Sequence, residues 1–216
     1  MGIAGGPDMI QDGLVLCLDA SDKNSYPGSG TTWTDVASTN NGTLTNGPTF
    51  NSGNGGSIVF DGSNDYISCG NIMPSSAYTK IVFFKISNLA NHNNLISGGS
   101  SGTHYFYPAS GNYLKTGHFQ GAELTSNTLI SANTWYQGAV TFSTSLGFSM
   151  YQNGVNVGTD PSTSTFTGGN VVYLGCYDTS YVLSGNIALA LIYNRVLSAS
   201  EILQNYNATK SRFNLK

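Results

Sequence analysis

Short runs of apolar or alternating residues, separated by clusters of Gly, Asn and Ser, fill the chain from residue 14 to residue 193. Runs of this length between turn residues are typical of an all-β sandwich or barrel. Asn153-Gly154 joins two of the runs, and this residue pair tolerates the positive φ angles of a tight hairpin turn. From Lys80 to Ser87, apolar residues occupy both alternating faces, which predicts a central strand between two layers.

A helix is indicated only near the C-terminus. Ser198 and Glu201 have the spacing of a capping box, and Ile202, Leu203 and Tyr206 follow at helical intervals. The chain shows no internal repeat, and its 216 residues are enough for one substantial core. The sequence therefore predicts an all-β, two-sheet antiparallel sandwich with one short C-terminal helix.

The first residues differ in character from the rest of the chain. Residues 1–12 contain Gly5-Gly6-Pro7 and no helix signal, so we interpret them as an N-terminal arm, either flexible or pairing as an edge strand. Such an arm would serve anchoring or oligomerisation, and its deletion would leave the fold intact. Residues 13–216 are predicted to form a single domain.

Charged residues are scarce. The chain has 8 Lys and Arg against 11 Asp and Glu, so its net charge is −3 and no basic cluster is available for nucleic acid. No apolar run approaches the roughly 20 residues of a membrane helix, and the N-terminus lacks the pattern of a secretion signal. Cys17, Cys69 and Cys176 lie in or beside apolar runs, which favours small buried side chains; one disulfide plus a free thiol is the alternative.

Four segments resemble a known family. Gly13–Asp35, Asn40–Phe50, Gly55–Gly70 and Ser184–Ile202 are similar to the matching parts of laminin-G-like, concanavalin A-like domains. The resemblance extends to about residue 213 and implies a jelly-roll arrangement of the two sheets. The opening and closing segments of the chain further resemble small laminin-G-like proteins that tailed bacteriophages encode.

This resemblance implies a role in the virion. The relatives are head decoration proteins, fibres or tail-associated surface modules, so we expect a non-enzymatic structural protein that is assembled in the host cytoplasm and docks onto capsid or tail proteins. Many copies in an array, or a homo-oligomer, are expected. The alternative is a lectin-like, carbohydrate-binding adhesin that contacts glycans on the host cell surface.

Two carboxylates and an amide meet in one turn of the sequence. Asp61, Asn64 and Asp65 supply oxygens of the kind that Ca²⁺ prefers, so Ca²⁺ is the cofactor that this turn could bind. Many relatives carry an acid in the closing strand, where this chain has Ala188 and Leu189, which argues against an inherited site. The alternative is that the carboxylates cap the turn through hydrogen bonds to the backbone.

Neutral polar and aromatic residues are densest between residues 100 and 121. Sugar sites combine aromatic faces with hydrogen-bonding side chains on loops. A second aromatic stretch, Tyr177–Tyr181, has Asp178 between its tyrosines. The alternative is that alternate tyrosines simply pack in the sandwich. The candidate glycan-binding residues of the first stretch are His104, Tyr105, Tyr107, Asn112, Tyr113 and His118.

Hydrolysis is not expected. A glycosidase needs two carboxylates on either side of the scissile bond. The chain has only two glutamates, Glu123 and Glu201, and the second is explained by the helix cap. No serine-nucleophile motif is present either. The sequence therefore predicts binding rather than catalysis.

Overall fold

This computed structural model describes residues 7–90, 92–99, 103–109, 111–118, 121, 123–167 and 169–216. Along the chain, all the β-strands precede the α-helix. Within these residues the chain forms sixteen β-strands and one α-helix. The strands are β1 (Leu14–Asp19), β2 (Thr32–Trp33), β3 (Gly42–Thr45), β4 (Thr49–Asn51), β5 (Ser57–Asp61), β6 (Tyr66–Asn71), β7 (Ala77–Ile86), β8 (Ile96–Ser97), β9 (His104–Pro108), β10 (Tyr113–His118), β11 (Glu123–Leu129), β12 (Trp135–Ser143), β13 (Gly147–Gln152), β14 (Val155–Asp160), β15 (Val171–Leu174) and β16 (Ser184–Tyr193).

Two antiparallel layers face each other. The first is a large sheet in the order β14-β13-β12-β7-β16-β5-β4, with β1 paired to the second half of β16. The second holds a five-stranded sheet, β2-β3-β6-β15-β8, and a three-stranded sheet, β11-β10-β9. Backbone hydrogen bonds from Leu95 N to Phe106 O (2.9 Å) and from Gly98 N to His104 O (2.8 Å) connect these two sheets.

The central strand is β7, between β12 and β16. Val82 and Phe84 point into the main core between the layers, and Ile81 and Phe83 point into a second core on the other side of the large sheet. All four side chains are fully buried. The prediction of a central strand between two layers is confirmed.

The helix α1 (Ala199–Thr209) covers that second core. The Ser198 hydroxyl accepts a hydrogen bond from Glu201 N, and the Glu201 carboxylate accepts one from Ser198 N at 2.8 Å, so the predicted capping box is present. Ile202 and Tyr206 pack into the second core. The expected fold class, an all-β sandwich with one short C-terminal helix, is confirmed. No helix in the described ranges is long and apolar enough to span a bilayer.

Local predictions in the strands also agree with the structure. Asn153 and Gly154 have φ angles of 51° and 78° and connect β13 to β14 as the expected hairpin. Cys17, Cys69 and Cys176 are buried free thiols. Burial raises the pKa of each thiol to about 12, so all three behave as small apolar side chains.

The described part of the predicted N-terminal arm, residues 7–12, lies against the domain. Ile10 N donates to Asn205 Oδ1 and the Tyr193 hydroxyl donates to Ile10 O, both at 2.9 Å. The apolar side chains of this segment are partly buried against the second core. This corrects the prediction of a flexible arm or an edge strand for these residues. The backbone amide and carbonyl of Ile10 are hydrogen-bonded to side chains of α1 and β16. Residues 1–6 of the predicted arm lie outside the described residues.

Candidate functional site

Strand β9 alternates between the interior and the surface. His104 and Phe106 point into the sandwich and are 0% exposed, while Tyr105 and Tyr107 are half-buried on the outer face. The two tyrosine ring centroids lie 5.7 Å apart in an edge-to-face arrangement. Successive residues of a strand point to opposite faces, so one short strand supplies both core packing and a pair of surface rings.

Two other segments bring aromatic rings to the same surface. Tyr177 and Tyr181, after β15, have ring centroids 6.4 Å apart. His92, after β7, has its ring 5.1 Å from Tyr181 and 6.3 Å from Tyr107. We call the five residues Tyr105, Tyr107, His92, Tyr177 and Tyr181 the tyrosine face. Neighbouring aromatic rings at these distances form a continuous surface of exposed π faces and edges.

An ion pair borders the tyrosine face. Lys115 Nζ on β10 contacts Glu123 Oε1 on β11, and the Tyr105 hydroxyl donates to Glu123 Oε2 at 3.2 Å. Burial and then the nearby Glu123 carboxylate raise the pKa of Tyr105 and of Tyr107. Both hydroxyls therefore remain protonated at neutral pH and can donate hydrogen bonds.

The loop that carries Tyr181 has an unusual backbone. Asp178, Thr179 and Tyr181 have φ angles of 51°, 52° and 37°, in the left-handed region that costs free energy for residues with a Cβ. Strain of this kind is concentrated at binding sites more than elsewhere. A shallow depression of about 330 Å³ lies beside this loop. It is lined by Gly62, Ala90, His92, Tyr181 and Val182.

Two of the sequence-predicted glycan residues are in a turn at the edge of this region. Asn112 precedes β10 and has a φ angle of 65°, and Tyr113 is the first residue of β10. Asn112 N donates to Ala109 O at 3.0 Å, and Ala109 N donates to Tyr113 O at 2.8 Å. These hydrogen bonds show that Asn112 and Tyr113 stabilise the turn. Contact of the two residues with a glycan stays a prediction.

The two predicted histidines are not on the surface. His104 and His118 are 0% and 1% exposed, because alternation along β9 and β10 turns their rings into the sandwich. Their four ring nitrogens are hydrogen-bonded to protein groups. The structure therefore corrects their assignment: a ligand on the surface cannot reach either ring without displacing the strands.

In the predicted calcium-binding turn, the two carboxylates accept hydrogen bonds from backbone amides of the same turn. Asp61 Oδ1 accepts from Ser63 N at 2.7 Å, and the buried Asp65 Oδ2 accepts from Asp61 N at 3.0 Å. The Asn64 carbonyl accepts from the Asn46 side chain at 2.9 Å. These contacts are the ones that the turn-capping alternative predicts, and Ca²⁺ binding by the turn stays a prediction. Among the described residues, no group of three or more His, Cys, Asp or Glu gathers to hold a metal ion.

The tyrosine face combines elements that the sequence presents separately. Both aromatic stretches, one around Tyr105 and Tyr107 and one at Tyr177–Tyr181, contribute to it. His92 was missed, because it lies alone in an Asn-rich loop and no spacing pattern links it to either stretch. Its only signal is three-dimensional, the contact of its ring with Tyr107 and Tyr181.

Several solved structures have the same fold at low sequence identity. A sialidase from Trypanosoma rangeli aligns with a TM-score of 0.70 and 16% identity over 93% of this chain and 33% of the sialidase chain. The chain thus spans about a third of the length of that enzyme. The binding domain of botulinum neurotoxin DC, solved in complex with SialylT, has a TM-score of 0.69 and 14% identity, covering 92% of this chain and 52% of that one.

A third structure matches along nearly its whole length. Domain 4 of an extracellular arabinanase from Geobacillus stearothermophilus, solved with arabinotriose, has a TM-score of 0.67 and 20% identity, covering 89% of this chain and 98% of that domain. No curated protein matches the sequence. The model of the laminin G family described as the concanavalin A-like lectin/glucanases superfamily matches residues 61–203, which is more than half of the chain. The chain therefore belongs to the concanavalin A-like lectin/glucanases superfamily.

Proposed function

We propose that this protein is a carbohydrate-binding module and that the tyrosine face is its binding surface. The observation that carries the proposal is the meeting of five aromatic rings from three separate segments on one surface of the sandwich. Three solved structures that share the fold bear names or ligands connected with sugars: a sialidase, a domain with arabinotriose and a toxin binding domain with SialylT.

The chemistry of the surface suits a saccharide. Tyrosine rings offer flat apolar contact to the C–H face of a sugar ring, and their hydroxyls offer hydrogen bonds to its hydroxyl groups. Tyr105 and Tyr107 keep their protons at neutral pH, and the Lys115–Glu123 pair adds a donor and an acceptor at the border. A neutral polar ligand can satisfy all of these groups without leaving a buried charge unpaired.

The proposal is for binding without catalysis. Glu201 is engaged by the Ser198 cap and by Arg195, whose Nη2 lies 2.6 Å from Glu201 Oε1. Glu123 is engaged by Lys115 and Tyr105. Glycoside hydrolysis uses two carboxylates about 5–9 Å apart across one bond, and these two engaged groups are poor candidates for that work.

A glycan array followed by calorimetry tests the proposal. We expect a saccharide that binds in the presence of EDTA as well as Ca²⁺, and that is recovered without new reducing ends. Tyr105→Ala and Tyr107→Ala should each weaken Kd at least tenfold, equivalent to about 1.4 kcal/mol, because each removes a stacking ring. Leu203→Ala is the matched control, since Leu203 is exposed on α1, across the large sheet from the tyrosine face.

Two results would contradict the proposal. The first is an array with no bound saccharide under either metal condition. The second is a bound saccharide whose Kd is unchanged by both tyrosine substitutions, which would place the binding surface elsewhere.

The setting we propose for this module is the surface of a bacteriophage virion. The support is the resemblance of the first and last segments to proteins of tailed phages, together with a net charge of only −3. Weak charge suits many copies packed on a capsid or tail, because closely spaced like charges repel. The same setting includes multi-copy or oligomeric assembly and docking onto capsid or tail proteins.

Mass spectrometry of purified particles tests this setting. We expect the protein among the structural proteins of particles from a producing lysate, at a constant ratio to the major capsid or tail protein across a density gradient. A lysate in which the protein is abundant but remains entirely in the soluble fractions would contradict the virion setting, and would leave the binding surface unaffected.

A further inference from the structure

A buried polar cluster lies directly beneath the tyrosine face. His104 on β9 and His118 on β10 are opposite each other in the strand pairing, and both rings point into the sandwich. Below them, on the central strand β7, lie Lys80 and Tyr78, which are both 0% exposed. We call these four residues the histidine cluster. Its two histidines belong to the same two strands that carry Tyr105, Tyr107 and Lys115.

The hydrogen bonds of the histidine cluster run between the layers. Lys80 Nζ lies 2.9 Å from His104 Nδ1, and the Tyr78 hydroxyl lies 3.0 Å from His118 Nε2. The remaining ring nitrogens bond outward to the backbone: His104 Nε2 is 3.2 Å from Val171 O and His118 Nδ1 is 2.7 Å from Ser164 O. The cluster therefore joins β7 of the large sheet to β9 and β10 of the second layer.

The number of protons that the cluster can hold is limited by this geometry. Lys80 and His104 face each other at 2.9 Å, so they can share one proton but cannot both be charged without strong repulsion. A neutral histidine suits the observed pattern, with one nitrogen accepting from Lys80 or Tyr78 and the other donating to a carbonyl.

The described groups packed around the cluster offer no compensating charge. Besides its own four members, the cluster faces the Ile96 carbonyl at 3.4 Å from Lys80 Nζ and the rings of Phe142, Phe148 and Phe166. None of the described hydrogen-bond or ion-pair partners of the four is a carboxylate. A buried charge without an acidic partner is strongly unfavourable.

We propose that the histidine cluster positions the tyrosine face and releases it on acidification, because protonation of His104 and His118 separates β9 and β10 from the large sheet. The loss of bound saccharide at acidic pH rests on the function proposed above; the separation of the strands does not.

The direction of the pH dependence follows from burial. Burial lowers the pKa of His104 well below its usual range and lowers that of His118 to about 4. The unfolded or opened form binds more protons than the closed form below pH of about 6.5, so the closed form loses stability as pH falls from about 6.5 toward 4. The two rings reach water only when β9 and β10 open. The free energy of protonating them therefore favours the opening of these two strands.

Hydrogen exchange of the ligand-free protein tests the inference. After correction for intrinsic rates, we expect amide protection in β9 and β10 to fall at least tenfold between pH 7 and pH 5, while protection in β16 is retained. The double variant His104→Gln/His118→Gln should keep its protection, since a glutamine amide can donate and accept in place of each ring and does not titrate. Lys23→Gln should lose protection as the wild type does, because Lys23 is exposed and belongs neither to the histidine cluster nor to the tyrosine face.

A second measurement needs no variant. Imidazole ¹⁵N shifts of the wild type should show His104 and His118 neutral while β9 and β10 are closed, and their protonation should coincide with the loss of amide protection. Unchanged protection at pH 5, or an equal loss in the glutamine variant, would overturn the inference. So would protonation of the two rings with the strands still protected.

Saccharide binding then separates the two proposals. A ligand that binds at pH 7 and is released at pH 5 in the wild type alone supports both. Absence of any ligand at pH 7 contradicts the proposed function, whereas the exchange experiment continues to decide the inference about the histidine cluster.

Discussion

For Lys80, the sequence pattern predicts which face of β7 the side chain lies on, but not which residues surround it. The alternation along β7 places it on the same face as Val82 and Phe84, which is the face of the main core. Its Nζ atom lies 5.2 Å from the centroid of the Tyr78 ring, and the residue is fully buried. Nothing in the local pattern indicates that His104, 24 residues later, supplies its hydrogen-bond partner.

Burial lowers the pKa of Lys80 well below its usual range, so its effect on stability depends on pH. The unfolded chain keeps the lysine proton up to about pH 10.4, and the folded protein does not. We therefore expect the wild type to gain stability relative to Lys80→Met as the pH rises from 7 toward 10, by up to about 1.4 kcal/mol per pH unit.

Urea unfolding of both proteins at pH 7, 8 and 9 measures this difference. Lys23→Met is the control, because Lys23 is exposed and its substitution should give a difference that does not vary with pH. A constant difference for Lys80→Met would show that Lys80 is charged in the folded protein.

Among the helices and strands, most features that the sequence predicts correctly are set by residues close together in the chain. The Asn153-Gly154 hairpin, the Ser198 cap and the two apolar faces of β7 depend on residues within ten positions of one another. The tyrosine face does not, because it needs β15 to bring Tyr181 beside His92, across 89 positions of sequence. Burial of His104 was missed for a related reason: alternation on β9 shows two faces but not which is internal.

Gly175 connects β15 to the loop that carries Tyr177 and Tyr181. Its φ angle is 82°, and a Cβ at this position would lie 2.3 Å from Cε1 of the buried Phe60. Gly70 has a similar φ of 76° with nothing within 4 Å of the same position. Gly70→Ala therefore isolates the cost of the backbone conformation, and Gly175→Ala adds the displacement of a core ring.

We expect Gly70→Ala to lower the free energy of unfolding by about 1 kcal/mol and Gly175→Ala by about 2–4 kcal/mol, measured by urea unfolding. On the function proposed above, Gly175→Ala should also weaken saccharide binding, since the loop with two members of the tyrosine face begins there. Equal losses of stability in the two variants would contradict the collision with Phe60.

For the whole molecule, the attachment of the N-terminal segment is the main departure from expectation. Ile10 is held by Asn205 and Tyr193, and the Gln204 side chain donates to Asp8 O at 2.7 Å. A Gly-Gly-Pro sequence indicates an arm because it carries no helix or strand pattern. These partners are distant in sequence, however, so no local rule could reveal the attachment.

Deletion of residues 1–12 should therefore lower Tm. The three hydrogen bonds of Asp8 and Ile10 at about 1 kcal/mol each, with partial burial of two apolar side chains, correspond to about 6 °C or more in a chain of this size. Differential scanning calorimetry measures the change, with Gln11→Ala as a control at an exposed position of the same segment. An unchanged Tm would restore the interpretation of an independent arm.

The pairing of β16 with both β1 and β7 sets the time at which the protein can fold in the cell. At about 5–20 residues per second of synthesis, β16 leaves the ribosome roughly 9–35 s after β1. Until then, β7 and β1 each lack a neighbour in the large sheet. A nascent chain that stops before Ser184 therefore exposes unpaired apolar strands, and holdase chaperones should bind it for as long as translation is stalled there.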